Sequence, residues 1–180
     1  TRDIYSKYGF VGFLSAKSTP FKIGTDYQGS NFAFTGYGFL PGLFKHHSLW
    51  GYWAFQSTSI KLGRTNSNVE LASNYIFRNE IPLPRGIVAY IDRHEIMYSM
   101  SGNYTMPIWY PDIAVGPWVN FKRLRGNVFV DYAFADNPRL RQFLPGYKST
   151  YQYLSVGGEL KIDINVMRFL PELDLGIRYS

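Results

Sequence analysis

Apolar and polar residues alternate along much of the chain with a period of two, the pattern of β-strands whose two faces meet different surroundings. The alternation is clearest in four segments of the second half, 95–106, 124–134, 154–165 and 172–180. In each segment one face is apolar, and the other carries small and polar residues. Charged side chains share this second face: Arg125, Asp131, Glu159, Lys161, Asp163, Asp174 and Arg178.

Four earlier segments have a weaker strand pattern and are separated by Gly, Pro, Asn and Ser clusters. They span 8–16, 30–40, 46–59 and 68–77. About eight strands are therefore expected, several of them longer than the five or six residues that are usual in soluble sheets. The pattern predicts an all-β, antiparallel fold in one domain, 1–180, with no linker.

Alternation alone does not decide which face points inward. A soluble β-sandwich or lipocalin-like barrel, with the apolar face inside, remains an alternative. Two features favour a transmembrane β-barrel with a polar interior. The apolar faces carry large aromatics, and the opposite faces carry charges of both signs. Aromatic residues also bracket strand ends, as a girdle at the lipid headgroups requires: Trp50, Tyr52 and Trp53 at one site, then Trp109, Tyr110 and Trp118.

Composition narrows the function classes. Aromatics make up 18% of the chain, and no apolar run approaches the length of a membrane helix. There is no Cys, so disulfides and thiolate metal sites are excluded. The net charge of +6 is spread along the chain without a nucleic-acid-binding motif, so nucleic acid is not an expected partner.

Catalytic and metal chemistry has little support. The three His are His46, His47 and His94, and the first two would lie on opposite faces of a strand. A metal or base site at 92–95, or a rim triad of Ser99, His94 and Asp92, has no local motif behind it. We therefore expect no catalytic residues, no cofactor and no metal, and not an enzyme.

Four short motifs follow one another in the second half: Leu-Pro-Arg-Gly-Ile at 83–87, Asn-Tyr-Thr-Met-Pro at 103–107, Asn-Val-Phe-Val-Asp-Tyr-Ala at 127–133, and Ser-Val-Gly-Gly-Glu-Leu at 155–160 with Leu-Gly-Ile-Arg-Tyr at 175–179. Their order resembles the C-terminal barrel half of the BamA-like superfamily, closest to barrels of the Bacteroidetes type. The resemblance covers about 75–180. Ile87 replaces the usual aromatic, Asn103 a usual Glu, and Ala133 a usual Gly.

The resemblance implies that a loop at about 78–93 folds into the barrel and that Arg85 at its tip pairs with Asp131, locking the loop to the wall. A guanidinium engages a carboxylate through two parallel hydrogen bonds, and Gly86 permits a sharp turn. Pro84, Asn103 and Phe129 would surround this lock. The alternative is that 84–86 is merely an exposed turn.

The resemblance further implies a 16-stranded type of barrel in the bacterial outer membrane. Its role would be protein translocation, outer-membrane protein assembly or anchoring of a periplasmic module. Its partners would be outer-membrane lipid and lipopolysaccharide, with periplasmic or outer-membrane protein subunits. The alternative is a small, complete eight-stranded outer-membrane barrel acting as a lipid-modifying enzyme, a lipid-binding protein or an adhesin. The sequence names no client.

The last residues have the spacing of a closing-strand signal, carried by Asp174, Gly176 and Tyr179. The aromatic expected after Ser180 is missing, and by the resemblance this segment is the penultimate strand. Either interpretation predicts that further chain follows.

Overall fold

The computed structural model describes residues 5–18, 28–61, 79–86, 95–116, 118–137, 149–167 and 173–180. These contain eight strands and no helix. The strands are β1 (Gly9–Ser18), β2 (Gln28–Pro41), β3 (Ser48–Lys61), β4 (Ile96–Trp109), β5 (Ile113–Val115), β6 (Val119–Asp136), β7 (Thr150–Val166) and β8 (Leu173–Tyr179). All pairings are antiparallel and form one sheet, which confirms the predicted all-β, antiparallel class.

The strands follow the order β1-β2-β3-β4-β6-β7-β8, and the short β5 pairs only with the start of β6. In the described residues β1 and β8 each have one neighbour, so the sheet is open and not closed into a barrel. The predicted strand at 68–77 lies outside the described residues. The sequence pattern did not predict β5, which lies between Asp112 and Gly116, both with positive φ. The chain reverses direction after β5 and begins β6, so that Val115 pairs with Val119.

The predicted alternation sorts the side chains onto two unlike faces. The polar face is buried: Asn31, Thr35, Gln56, Thr58, Ser99, Ser101, Asn103, Thr105, Arg125, Asn127, Asp131, Ser155, Glu159 and Asp163. The apolar face is exposed: Phe32, Trp53, Tyr98, Met100, Val128, Val130, Leu154, Val156 and Leu160. This is the reverse of a soluble sheet, which buries its apolar face.

Residues 79–86, which we call the strap, cross the buried polar face. Ile81 of the strap is buried against a patch of four alanines and one methionine. That patch comprises Ala33, Ala54, Met97, Ala133 and Ala135, drawn from four strands. Because alanine side chains are short, the strap backbone can lie close to the sheet at this level.

Aromatic rings form a row across the apolar face near one end of the sheet. Phe32, Phe55, Tyr98 and Phe134 contact one another in sequence across β2, β3, β4 and β6. Trp109, Tyr110 and Trp118 are exposed at the opposite end. The other predicted girdle site was Trp50, Tyr52 and Trp53, and this prediction is wrong for two of the three residues.

Trp50 and Tyr52 lie on the polar face, where the Trp50 indole N–H donates to Thr105 and the Tyr52 hydroxyl contacts Ser99. Only Trp53 lies on the apolar face, stacked on Phe10. Trp50 and Tyr52 are separated from Ala54 and Gln56 by even numbers of residues, so all four lie on the polar face. The sequence did not reveal this, because the three aromatic residues lie within four consecutive positions.

Three glycines form a row across the apolar face, because Gly38 pairs with Gly51 and Gly51 pairs with Gly102. A Cβ at Gly51 would lie 2.4 Å from the carbonyl oxygen of Ser101, whereas a Cβ at Gly38 or Gly102 would meet nothing within 4 Å. Only the middle glycine is therefore required by its surroundings.

We expect Gly51→Ala to lower the free energy of unfolding by about 1–3 kcal/mol, the usual cost of forcing atoms into a packed site. Gly102→Ala, its register partner, should leave stability unchanged or raise it slightly, because alanine loses less backbone entropy on folding. Urea unfolding of both variants checks this. Equal effects of the two substitutions would show that the close approach at Gly51 is not maintained.

Candidate functional site

The strap is fastened at its tip by Arg85, whose guanidinium reaches Asp131 on β6. Arg85 Nε donates to Asp131 Oδ2 at 2.7 Å, and Nη2 donates to Oδ1 at 2.7 Å. The Arg85 backbone N–H also donates to Oδ2 at 2.9 Å. The carboxylate thus accepts three hydrogen bonds from one residue, two of them in the parallel geometry that suits a guanidinium. The structure brings together the two residues expected to form the lock.

Side chains of β4 and β6 complete the surroundings of this pair. Ser101 Oγ donates to Asp131 Oδ1 at 2.5 Å and accepts from Arg85 Nη2 at 2.9 Å. The guanidinium carbon lies 3.7 Å from the ring centroid of Phe129, a cation–π contact. Asp131 and Phe129 are each 1% exposed. The ion pair is therefore shielded from solvent by its own partners.

Asn103 and Pro84 occupy the positions expected of them, near the lock. Asn103 Nδ2 donates to Ser101 Oγ at 3.0 Å, and Asn103 Oδ1 accepts from Asn127 at 3.2 Å. Asn103 therefore orients the serine that binds the lock. Pro84 is buried directly before Arg85. The exposed-turn alternative is wrong for Arg85, whose side chain is only 17% exposed.

Gly86 follows Arg85 with φ +78°, a conformation that side-chain-bearing residues rarely adopt. A Cβ there would lie 2.4 Å from the Ser180 hydroxyl oxygen. The strap turns at this residue because glycine alone meets both requirements at low cost.

Sequence reasoning missed Glu159 of β7 as a member of the site. Its carboxylate lies 3.5 Å from Arg85 Nη1 and 2.9 Å from the Lys161 ammonium, and it also accepts from Arg178 Nε at 2.5 Å. The resemblance expected a glutamate at position 103 as the second anion of the lock. Glu159, on a different strand, supplies that second anion instead. Its inward parity on β7 was the signal available in the sequence, whereas the register that pairs it with Asn127 was not.

A second ion network continues along the polar face from β6 to β8. Asp163 binds both Arg123 and Arg125, and Arg125 also binds Asp174. Asp174 of the predicted closing-strand signal therefore faces inward. Gly176 allows a close approach, since a Cβ there would lie 2.4 Å from the Leu160 carbonyl oxygen, whereas Tyr179 is 86% exposed.

Two strap residues have shifted pKa values. Burial would lower the pKa of Arg85, but the hydrogen bonds and charge of Asp131, together with Glu159, offset this and hold it above its ordinary value. A hydrogen bond from Ser15 and contact with Lys17 hold the pKa of Glu80 below its ordinary value. Both strap residues are therefore charged at neutral pH.

A cavity of about 310 Å³ adjoins the lock. The strap contributes Leu83 and Arg85 to its lining, β3 contributes Trp50 and Tyr52, and β6 and β7 contribute Asn127 and Glu159. Its lining therefore mixes aromatic rings with charged and amide side chains.

Asp92 and His94, which belong to the metal or base site considered at 92–95 and to the rim triad, lie outside the described residues. Among the residues that are described, no group of three His, Asp or Glu side chains could hold a metal ion. No helix in the described ranges is long and apolar enough to cross a membrane.

No protein-family model, no curated protein and no solved structure matches this chain.

We expect Arg85→Ala to lower the free energy of unfolding by about 3–5 kcal/mol, because it leaves the buried Asp131 carboxylate without its main partner. Combining Arg85→Ala with Asp131→Asn should cost less than the sum of the single changes, by about 0.5–3 kcal/mol, since the amide carries no charge to strand. Urea unfolding of the four proteins of this cycle gives the coupling. Lys45→Ala, in an exposed turn, is the control and should change stability by less than about 0.5 kcal/mol.

Additive effects of the two substitutions, or an Arg85→Ala variant as stable as the parent, would show that the pairing of Arg85 with Asp131 does not stabilise the fold.

Proposed function

We propose that the chain forms part of the wall of a bacterial outer-membrane β-barrel, with lipid on the apolar face and a polar lumen on the other. The observation that carries this is the reversed polarity of the sheet. Leu154 is 70% exposed and Val130 is 48% exposed, whereas Asp131 and Asp163 are each 1% exposed. A sheet with charged residues buried and aliphatic residues exposed suits an apolar solvent.

The soluble alternatives fit this arrangement poorly. A β-sandwich or lipocalin-like barrel buries its apolar face, and large contiguous apolar patches are rare on soluble monomers. Here the exposed apolar residues run along β1, β4, β7 and β8 alike. Burying this face against a second sheet would require a partner layer as broad as the sheet itself.

The spacing of the two aromatic zones matches a bilayer. Tyr98 lies in the ring row near one end of β4, and Trp109 lies at the other end. About eleven residues separate them, which at about 3.3 Å per residue is roughly 36 Å along the strand. At a tilt of about 45° this corresponds to roughly 26 Å across the membrane, close to the apolar band of about 25 Å seen in outer-membrane barrels.

Strand direction favours a larger barrel over a complete eight-stranded one. Seven strands lie on the path from β1 to β8, so these two edge strands run in the same direction. Direct pairing of β1 with β8 would be parallel, whereas outer-membrane barrels are antiparallel with an even strand number. β3 and β4 pair directly, so no further strand lies between them.

An open edge exposed to lipid leaves backbone groups unpaired at several kcal/mol each, so closure in a membrane needs at least one further strand. We propose that such strands complete a barrel of the 16-stranded type that the motifs resemble. The role would then be protein translocation, outer-membrane protein assembly or the anchoring of a periplasmic module. The support is the strap in the lumen, held by Arg85 and Asp131 in the arrangement that the resemblance implies.

Val130→Arg tests the membrane wall. Val130 lies on the apolar face opposite Gly102, between the level of Tyr98 and that of Trp109. In liposomes we expect a loss of about 2–4 kcal/mol of unfolding free energy at this depth. Leu124→Arg, on the same strand and face but level with Trp109, is the matched control and should cost about 0–1 kcal/mol.

A water-exposed face would tolerate both arginines within about 0.5 kcal/mol, and that result would refute the proposed lipid contact.

The size of the barrel is tested by the intact mass of the protein extracted from its native membrane, together with peptide mapping. A mass well above 20.8 kDa, with peptides beyond both ends of this sequence, is the expected result. A mass near 20.8 kDa would favour the alternative, a small barrel acting as a rim enzyme, a lipid-binding protein or an adhesin, and would contradict the translocation proposal.

A further inference from the structure

The strap has a second set of polar contacts at its other end, centred on Glu80. The Glu80 carboxylate accepts from Asn31 Nδ2 at 2.7 Å and lies 2.9 Å from the Lys17 ammonium. The Glu80 backbone N–H donates to Gln56 Oε1 at 2.9 Å. These partners belong to β1, β2 and β3. None of them belongs to the strands that hold Arg85.

The Glu80 contacts are themselves positioned by the sheet. Asn31 is 2% exposed, and its Oδ1 accepts from Thr58 Oγ1 at 2.9 Å. This hydrogen bond orients the side chain so that its Nδ2 points to Glu80. Gln56 is 5% exposed. Two buried amides thus present a donor and an acceptor to one strap residue. An adventitious surface contact would not involve side chains this deeply buried.

Between the two ends the strap offers an apolar contact. Ile81 is 5% exposed and packs against alanines of β2, β3 and β6 and against Met97 of β4. Asn79 donates to the Met97 sulfur at 3.5 Å. The strap therefore touches the sheet at its start, near its middle and at its tip.

We propose that Glu80 is a second anchor, and that the strap is a two-point brace joining β1, β2 and β3 to β4, β6 and β7 across the polar face. Neither anchor alone holds the whole strap. With Glu80 released, residues 79–81 can leave the sheet while Arg85 stays on Asp131; with Arg85 released, the tip can leave while Glu80 holds. Full withdrawal of the strap requires both. The two anchors follow from contacts within the sheet. Only the description of the polar face as the lumen of a barrel rests on the proposed function.

This arrangement makes each anchor raise the effectiveness of the other. While one end is held, the free end remains at a high effective concentration near its own site and rebinds readily. A change that breaks one anchor loosens the strap locally, and a change that breaks both frees it. Glu80 is thus a positioning residue for the lock at Arg85.

The test reads strap opening at Ile81. The chain has no native cysteine, so Ile81→Cys introduces a single thiol at a buried site beside Glu80. The labelling rate by a maleimide, measured on the full-length protein in liposomes, reports how often this part of the strap leaves the sheet. Leu83→Cys, at a position 40% exposed, is the reference for a thiol that is open throughout.

In the Ile81→Cys background, Glu80→Ala should raise the labelling rate about tenfold, which corresponds to about 1.4 kcal/mol in the opening equilibrium. Glu80→Gln, which keeps an acceptor for Asn31 but loses the charge beside Lys17, should give a smaller increase. Arg85→Ala should add to the effect of Glu80→Ala, so that the variant carrying both changes labels faster than either one alone. Asp112→Asn, an acid-to-amide change in the exposed connection between β4 and β5, should leave the rate unchanged.

A Glu80→Ala rate within twofold of the parent would overturn the second anchor. So would an equal acceleration of labelling in the Ile81→Cys and Leu83→Cys backgrounds, because that is the signature of general loosening. If Glu80→Ala does not fold, Lys17→Met removes the ammonium partner from the exposed side and should still raise the labelling rate of the Ile81→Cys thiol severalfold. Failure of the lipid-facing proposal would appear separately, as tolerance of Val130→Arg, with the strap contacts unaffected.

Discussion

The constraint on which this structure depends is that every polar group buried on the inner face of the sheet needs a partner. An unpaired buried carboxylate or guanidinium costs several kcal/mol, so the face is stable only as a connected network. The network runs from Asp131 and Glu159 through Arg85 to the strap, and from Asp163 through Arg125 to β8. Among the described residues, two buried side-chain oxygens lack a partner, those of Asn120 and Asn165. These two residues are register partners on β6 and β7.

The strap is the element that makes this network complete. Asp131 lies on β6, where its strand neighbours offer it Ser101 but no cation in the pairing register. The cation comes from the strap, which can approach because the sheet presents alanine at positions 33, 54, 133 and 135. The alanines of the patch and the carboxylate of Asp131 thus both bind the same eight-residue segment. Packing and electrostatics are satisfied by the same backbone path.

Much of the fold could be predicted from the sequence because strand parity is a local property. The alternation in β4, β6 and β7 assigned their inward and outward residues, and the motif at 83–87 with Asp131 pointed to the lock. Contacts set by register over long separations could not be predicted in this way. Glu159 reaches Arg85 because β7 pairs with β6 in one particular register. Glu80 contacts both Lys17 on β1 and Gln56 on β3 because these strands are the two neighbours of β2 in the sheet. Trp50 and Tyr52 were misassigned because Trp and Tyr side chains serve equally as lipid anchors and as hydrogen-bonding groups on a polar face.

The brace also limits how far apart the two parts of this open sheet can move. Adjacent strands are joined by backbone hydrogen bonds, but the pairings alone do not hold β2 at any fixed distance from β6, because two strands separate them. A strap bound to Asn31 on β2 and to Asp131 on β6 spans that gap directly. Its length limits how far the two parts of the sheet can move apart. The polar contacts at its two ends therefore help set the shape of the surface that bears them, and a barrel built on this sheet would carry that limit into its lumen.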